Sequence, residues 1–477
     1  MGVLLRAIEG GMAMPVAWDF DKLEAFIQER MAETKLPGLS IALVKGDEVI
    51  WARGFGFRDL ERGLPATPET LYATGSVTKS FTAIAVLQLA EQGKLNLDDP
   101  VEAHLPFKLK PQGEKVCIWH LLTHSSGFPA LAYAEASIRA ATGAGGKYLP
   151  IATCDDMLTF IRDAEGWALA RPGERWFYLN EGYVLLGCIV QRCSGLPYET
   201  YVREHILKPL RMMRSTFRRE DVEKDPDAAT PYIITRDGEQ LPSRYPYEAI
   251  SADGGLISSV LDLAKYIGML LNRGEHEDGR LLSRESIEEM EKERVQVPWK
   301  GPFGPVYYAY GLSVTSDFLG RRLVGHGGSV LVATAYMGFI PEERVGVALL
   351  ANGSGYPMAQ LGQYALALLL GRDPEKLPFV ARERRLKELE GLYETYKGTM
   401  QARVRRQGDF LLIEIRDKYT ELVVPLVPEA LDEDVRTFYT LSAGQRLPVE
   451  FRVCDGQVEL IYERYLLRRV GKLPTGG

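Results

Sequence analysis

The sequence lacks the features that mark several classes of protein. No apolar run approaches the ~18 residues of a membrane-spanning helix. The richest stretch, Ala365 to Leu370, stops at Gly371. No CxxC pair occurs, and the five cysteines (117, 154, 188, 193 and 454) are odd in number. That argues against a zinc-thiolate site and a disulfide framework, and fits free thiols in a reducing compartment. No basic cluster is present: 57 Lys and Arg lie scattered among 64 Asp and Glu, for a net charge of −7. Nucleic acid is therefore not an expected partner. There is no G-x-S-x-G, so the α/β-hydrolase elbow is excluded. The opening MGVLLRAIEGGMAMP is interrupted by Arg6 and Glu9 and makes a poor signal peptide, and Arg6 fails the myristoylation pattern. Residues 1–15 are expected to be disordered, with Met12 or Met14 as alternative starts. A soluble cytoplasmic protein with no membrane partner is the expectation.

What is present is ordinary globular chain, 46% hydrophobic and 25% charged. At ~100–200 residues per domain, 477 residues suggest two to four structural units. Leu23, Phe26, Ile27 and Met31 fall on one helical face, followed by Pro37-Gly38. A hairpin follows: Leu39 to Val44, a turn at Lys45-Gly46-Asp47, then Glu48 to Ala52. Ser76 to Gln92 reads as an apolar helix. A mostly helical insertion covers about 95–192. Strand patterns return at Leu323-Val324, Ala333 to Ile340 and Val345 to Leu350, and the apolar helix Met358 to Leu370 follows. Early strands, a helical middle and late strands predict one discontinuous α/β core over 16–378.

Beyond Arg372-Asp373-Pro374 the composition shifts. Arg382 to Glu390 reads as a linker or short helix. Residues 385–472 then read as consecutive strands. One hairpin runs Arg403 to Arg406, Gln407-Gly408-Asp409, Phe410 to Ile415. Another alternates through Val449, Phe451 and Val453, turns at Cys454-Asp455-Gly456-Gln457, and alternates again through Val458, Leu460 and Tyr462. A small antiparallel barrel or sandwich is predicted.

Ser76-Val77-Thr78-Lys79 places Ser76 and Lys79 one turn apart on one helical face. An amine there is placed to take the serine proton provided burial or a nearby cation keeps it neutral, and a helix N-terminus offers unpaired N–H groups to a developing oxyanion. On its own S-x-x-K is common, and a capping serine with a solvated first-turn lysine is the plainer explanation. Tyr178-Leu179-Asn180 precedes an apolar helix. A phenol can relay a proton and an Asn amide can bond a substrate carbonyl. His326-Gly327-Gly328 lies where a late strand begins, and glycines there permit close backbone approach.

The order and surroundings of these motifs resemble the serine β-lactamase-like enzymes of the class C and D-Ala-D-Ala-peptidase (penicillin-binding-protein) type. The resemblance runs through Pro37-Gly38, Gly56, Thr70-Leu71-Tyr72, Gly75 to Ser80, Leu97 to Val101 and His120 to Gly127. It continues through Tyr178 to Tyr183, Gly254 to Ser258 and Gly325 to Gly328. It implies an antiparallel sheet flanked by helices, with a helical subdomain. It also implies roles: Ser76 as acylated nucleophile, Lys79 and Tyr178 sharing its proton, and Asn180 orienting the substrate amide. The Ser76 and Ser329 N–H groups would form the oxyanion hole beside Gly327 and Gly328. True β-lactamases of this family carry Lys-Thr-Gly where this chain has His326-Gly327-Gly328. A mostly neutral imidazole is a poor substitute for that lysine, so strong β-lactamase activity is not expected.

The strand-rich tail (Leu389, Gly391, Tyr393 and the hairpins) resembles the lipocalin-like domain of cytoplasmic serine peptidases in this family, including self-compartmentalising archaeal ones. A packing or oligomerisation role without a ligand is the plainer alternative. The i, i+4 pair His120 and His124 has no following Glu, and the resemblance makes this stretch scaffold; no metal is expected. Cys188 and Cys193 are expected as core thiols. Trp299, Phe303, Tyr307, Tyr308 and Tyr310 are expected on a Pro/Gly-rich loop, either lining an apolar pocket or anchoring the loop. Ala141 to Lys147 is either a lid or an ordinary insertion. The expected function is a serine peptidase or amidase on small, possibly D-residue-containing peptides, with no cofactor and a homo-oligomeric state. The alternatives are a carboxylesterase of the same family with weak or no β-lactamase activity, and a non-catalytic binding protein with the same fold.

Overall fold

The computed structural model describes residues 18–473 apart from 147–148, 248–250, 356, 417, 431–435 and 455. The expected disorder of 1–15 lies outside these, as does Lys147 of the 141–147 segment. The chain divides into a unit ending at Arg372 and a second beginning at Asp373.

In the first unit, strands from both ends of the sequence share one antiparallel sheet. They are β1 (Gly38–Lys45), β2 (Glu48–Asp59), β3 (Leu64–Pro65), β4 (Val295–Gly301), β5 (Gly304–Tyr308), β6 (Ser313–Phe318), β7 (Arg321–Ser329), β8 (Thr334–Ile340) and β9 (Val345–Ala351). Their order is β4-β5-β6-β7-β8-β9-β1-β2-β3. β8 and β9 are buried at every position, as apolar runs covered on both faces should be. Gly346 of β9 faces Ile267 of the helix Val260–Leu271, whereas Val347 faces Gly362 of the helix Met358–Leu369. Successive strand residues point to opposite faces, so these two helices cover opposite sides of the sheet. The first helix, Phe20–Thr34, is capped by the Asp19 side chain and buries Leu23, Phe26, Ile27 and Met31. Phe26 stacks on Tyr364 at 4.0 Å.

Three expectations are corrected. Trp299 to Tyr308 is the β4–β5 hairpin rather than a loop. Pro298, Gly301, Gly304 and Pro305 disguise it in sequence, and the edge position of β4 tolerates them. Cys188 is not a free thiol but is bonded to Cys154, leaving Cys117, Cys193 and Cys454 free. An odd count without a CxxC pair argues against a disulfide framework, and a pair 34 residues apart leaves no local spacing signal. Ser76 sits on a single 3-10 turn, Gly75–Val77, ahead of the α-helix Thr78–Glu91 rather than within it.

The second unit opens with the 3-10 turn Pro374–Lys376 and the helix Pro378–Glu388. Eight strands follow, β10 (Gly391–Glu394), β11 (Gln401–Gln407), β12 (Phe410–Arg416), β13 (Glu421–Pro428), β14 (Thr437–Ser442), β15 (Gln445–Cys454), β16 (Gln457–Tyr462) and β17 (Tyr465–Gly471). Each pairs with the next, and β10 closes on β17 to make a barrel. Alternate residues such as Val404, Leu411, Ile413, Phe438, Phe451 and Leu460 fill it, as the side chains of an eight-stranded barrel can.

Candidate active site

The turn that carries Ser76 is fixed from behind. Tyr72-Ala73 pairs with Ile257-Ser258, and the Thr74 N–H and hydroxyl both donate to the Leu256 carbonyl at 2.9 Å. The Thr78 hydroxyl donates to Gly75 O at 2.7 Å and accepts from Leu256 N–H at 3.1 Å. Thr78–Glu91 is buried from Thr78 through Leu89, so a core helix holds the serine in register.

In front of the turn runs β7. A Cβ on Gly328 would lie 1.9 Å from Thr74 O and 3.0 Å from Ser76 N; one on Gly75, where φ is +52°, would lie 2.7 Å from Ser329 N. Glycine at both positions lets the two backbones touch. The amide nitrogens of Ser76 and Ser329 thereby come to one small region.

Lys79 is fully buried one turn beyond the serine. Its Nζ donates to Ser76 Oγ at 3.1 Å, Asn180 Oδ1 at 2.8 Å and the Asp253 carbonyl at 2.6 Å. Nζ therefore has three polar partners. Nζ also lies 4.9 Å from the centre of the Tyr178 ring. Asn180 is the first residue of the helix Asn180–Ser194. Tyr178 lies just before it, on a loop docked against residues 124–127. Leu169 N–H donates to Gly127 O at 2.9 Å, Gly173 N–H to Ser125 O at 2.7 Å and Phe177 N–H to His124 O at 2.8 Å. No hydrogen bond joins Tyr178 to Ser76 or Lys79 among the described residues.

His326 is buried on β7. Its Nδ1 contacts the Gly327 carbonyl, which can only accept, so Nδ1 carries the proton and Nε2 accepts from the Tyr308 hydroxyl at 2.8 Å. Burial and, secondarily, repulsion by Lys79 bring its pKa down to about 4. The imidazole is neutral at pH 7 and offers no cation.

Ser76, Tyr178, Asn180 and the His326–Ser329 segment thus line one cavity of about 680 Å³. Its far wall is apolar: Trp176 and Trp299 meet edge to face at 5.1 Å, with Val297, Val306 and Tyr308 beside them. All the residues expected at the site are brought together. Trp299 and Tyr308, expected either to line an apolar pocket or to anchor a loop, line the cavity. Two residues, Asp253 and His124, were not singled out by sequence as site residues, and the bond from Tyr308 to His326 was not foreseen. Asp253 is buried with Oδ1 unpaired among the described residues, and burial raises its pKa to about 6. Tyr308 bonds His326. His124, expected as scaffold, lies against Tyr178 with ring centres 4.1 Å apart. Only its place in the His120–Gly127 motif hinted at this. Among the described residues no group of His, Cys, Asp and Glu is arranged to hold a metal, and no helix is long and apolar enough to cross a membrane.

Residues 23–371 match the family described as Beta-lactamase, and residues 374–468 match the Pab87 octamerisation domain. The solved structure of the octameric penicillin-binding protein homologue from Pyrococcus abyssi is similar to this chain. Identity is 51% over 94% of this chain and 100% of that one, with a TM-score of 0.89. A penicillin-binding protein from Bacillus halodurans is 25% identical, covering 72% of this chain and 98% of that chain, with a TM-score of 0.57. Protein flp of Staphylococcus aureus (strain MW2) is 29% identical over 69% of this chain and 62% of its own length. The chain therefore spans under two thirds of that relative.

Proposed function

This chain belongs to the β-lactamase family, and from that premise we propose that it is a serine hydrolase working through an acyl-enzyme on Ser76, cleaving small peptides or amides. The observation that carries the reading is the Lys79 Nζ–Ser76 Oγ hydrogen bond of 3.1 Å on the wall of a substrate-sized cavity. As the Ser76 oxygen attacks the carbonyl carbon, its proton passes to the Lys79–Tyr178 pair, whose accepting member must be in its base form, Lys79 as the neutral amine or Tyr178 as the phenolate. The carbonyl oxygen gains the negative charge and is met by the Ser76 and Ser329 N–H groups. The pair then returns the proton to the departing amine. Water attacks the Ser76 ester by the same proton route in reverse and frees the serine. Lys79 occupies the Asn180 Oδ1, so the Asn180 NH₂ is the end offered to a substrate carbonyl.

The neutral His326 and the apolar wall of Trp176, Trp299, Val297 and Val306 favour a substrate without a carboxylate at that position, carrying an apolar or aromatic group. The same observation supports a carboxylesterase as the second reading, and weak β-lactam turnover under either. We also assign a homo-octameric state, supported by the octamerisation-domain match and the octameric relative. Of the 17 large hydrophobic side chains exposed among the described residues, 10 lie in the smaller second unit. That excess of apolar surface is what an assembly interface leaves on an isolated chain.

Matched p-nitrophenyl esters, aminoacyl p-nitroanilides of both configurations and a cephalosporin decide among these. The expected order places neutral amides or esters well ahead of the cephalosporin, with all turnover lost in Ser76→Ala. Efficient cephalosporin hydrolysis overturns the reading of His326; turnover by Ser76→Ala overturns the nucleophile.

A further inference from the structure

We propose that His124 is a positioning residue that fixes the phenol of Tyr178 over Lys79. The inference rests on the reading of Tyr178 as a partner in proton transfer.

His124 follows the short helix Ile118–Leu122 and is 1% exposed, with φ at +57°. It grips the chain on both sides of Tyr178. Its carbonyl accepts from Phe177 N–H at 2.8 Å, and its ring Nδ1 accepts from Leu179 N–H at 3.0 Å. The amides flanking Tyr178 are thus anchored to a single residue, which fixes the course of the backbone through the tyrosine. The His124 ring packs on the phenol it anchors, with centres 4.1 Å apart and planes tilted by 36°. It also touches Tyr308 at 4.6 Å and Tyr183 at 5.0 Å. Tyr308 is the hydroxyl that bonds His326, and Tyr183 is tied through its hydroxyl to Leu122 O at 2.7 Å. The phenol is therefore held between Lys79 and a histidine that is itself wedged among fixed rings.

Two features separate this from ordinary packing. First, Nδ1 can accept only in the neutral imidazole with its proton on Nε2, and Nε2 has no hydrogen-bond partner among the described residues although it is buried. A phenylalanine of similar size would fill the space without burying an unpaired N–H, so what histidine adds here is the acceptor at Nδ1. Burial, with Lys79 and His326 nearby, pushes the imidazole pKa well below its usual value, so the acceptor persists across the working pH range. Second, the positive φ disfavours most residues, and only glycine and a few polar types occupy it readily. Histidine and asparagine are among those types, so the position suits His124 better than a phenylalanine.

The test compares steady-state rates of the full-length protein on a p-nitrophenyl ester. His124→Phe keeps the ring and removes the acceptor. His124→Asn returns an acceptor near the Nδ1 position and suits the positive φ. Phe is expected to lower kcat by about 10–100-fold with KM within about threefold. Asn is expected to recover kcat to within about fivefold of wild type. Because His124 acts through Tyr178, the His124→Phe/Tyr178→Phe double variant should be no slower than Tyr178→Phe alone. His124→Gly, unstrained at this φ, is the second variant should Phe not fold, and should lose at least as much kcat. Wild-type kcat in the folded Phe or Gly variant overturns the proposal. So does an Asn variant no better than Phe, or a double variant that multiplies the two losses. Wild-type kcat in Tyr178→Phe overturns instead the role given to Tyr178.

Discussion

Gly328 is the point at which the sheet touches the nucleophile turn, and one methyl group tests that contact. In Gly328→Ala the new Cβ would stand 1.9 Å from Thr74 O, where ordinary contact begins near 3.4 Å. The obstruction is backbone, and Thr74 is tied to Leu256 through both its N–H and its hydroxyl. β7 and the turn must therefore separate by about 1–1.5 Å, which moves Ser329 N–H away from Ser76. A misplacement of about 1 Å costs on the order of 100-fold in rate, or about 2.7 kcal/mol of transition-state stabilisation. The overpacked strand loses about 1–3 kcal/mol of stability. Gly327 is the internal comparison: a Cβ there meets only Ala335 O at 3.9 Å. Measured as kcat/KM on a small ester, with urea midpoints alongside, Gly328→Ala should lose at least tenfold more activity than Gly327→Ala and unfold earlier. Equal losses in the two variants, or Gly328→Ala within threefold of wild type, would refute the close-approach argument.

Acid should destabilise the fold. Burial holds His326 and His120 at about 4 and His124 well below its ordinary 6.5, so on acidification below 6.5 the unfolded chain binds three protons that the native chain refuses. Asp253, raised to about 6 from 3.8, opposes this with one. Glu181 and Glu291, also raised by burial, oppose it too, and the three histidines leave a net loss of stability from pH 7 to pH 5, read from urea midpoints; a gain on acidification contradicts it. Reducing the Cys154–Cys188 bond, which closes a loop 34 residues long, should cost about 3–4 kcal/mol. An unchanged urea midpoint after thiol modification confirmed by mass would contradict the pairing. Placing glutamate at the exposed Leu422 and Leu466 should lower the mass seen by light scattering while each chain stays folded. An unchanged assembly mass removes these residues from the interface.

Sequence is most informative where a local period meets a single environment. The barrel hairpins alternate because each strand has one wet and one dry face, and the first helix shows its buried stripe directly. β8 and β9 are legible as apolar runs because both faces are covered. The β4–β5 hairpin escapes because an edge strand near a cavity mouth carries Pro and Gly that read locally as loop. In the site, Ser76, Lys79, Tyr178, Asn180 and His326 stand in motifs with short, recognisable spacing. Asp253 and the Cys154–Cys188 pair do not: each depends on a partner far along the chain. His124 lies in a motif, but its contact with Tyr178 crosses more than fifty residues and becomes visible only when residues 169–179 dock on 124–127.

The central claim is that Ser76 is the acylated nucleophile. Intact-mass spectrometry after exposure to a fluorophosphonate tests it most directly, with peptide mapping of the product. One adduct per chain, located on Ser76, is expected, together with loss of ester turnover, and no adduct on folded Ser76→Ala. An unmodified protein that still turns over substrate, or an adduct on another residue that abolishes turnover, would contradict it.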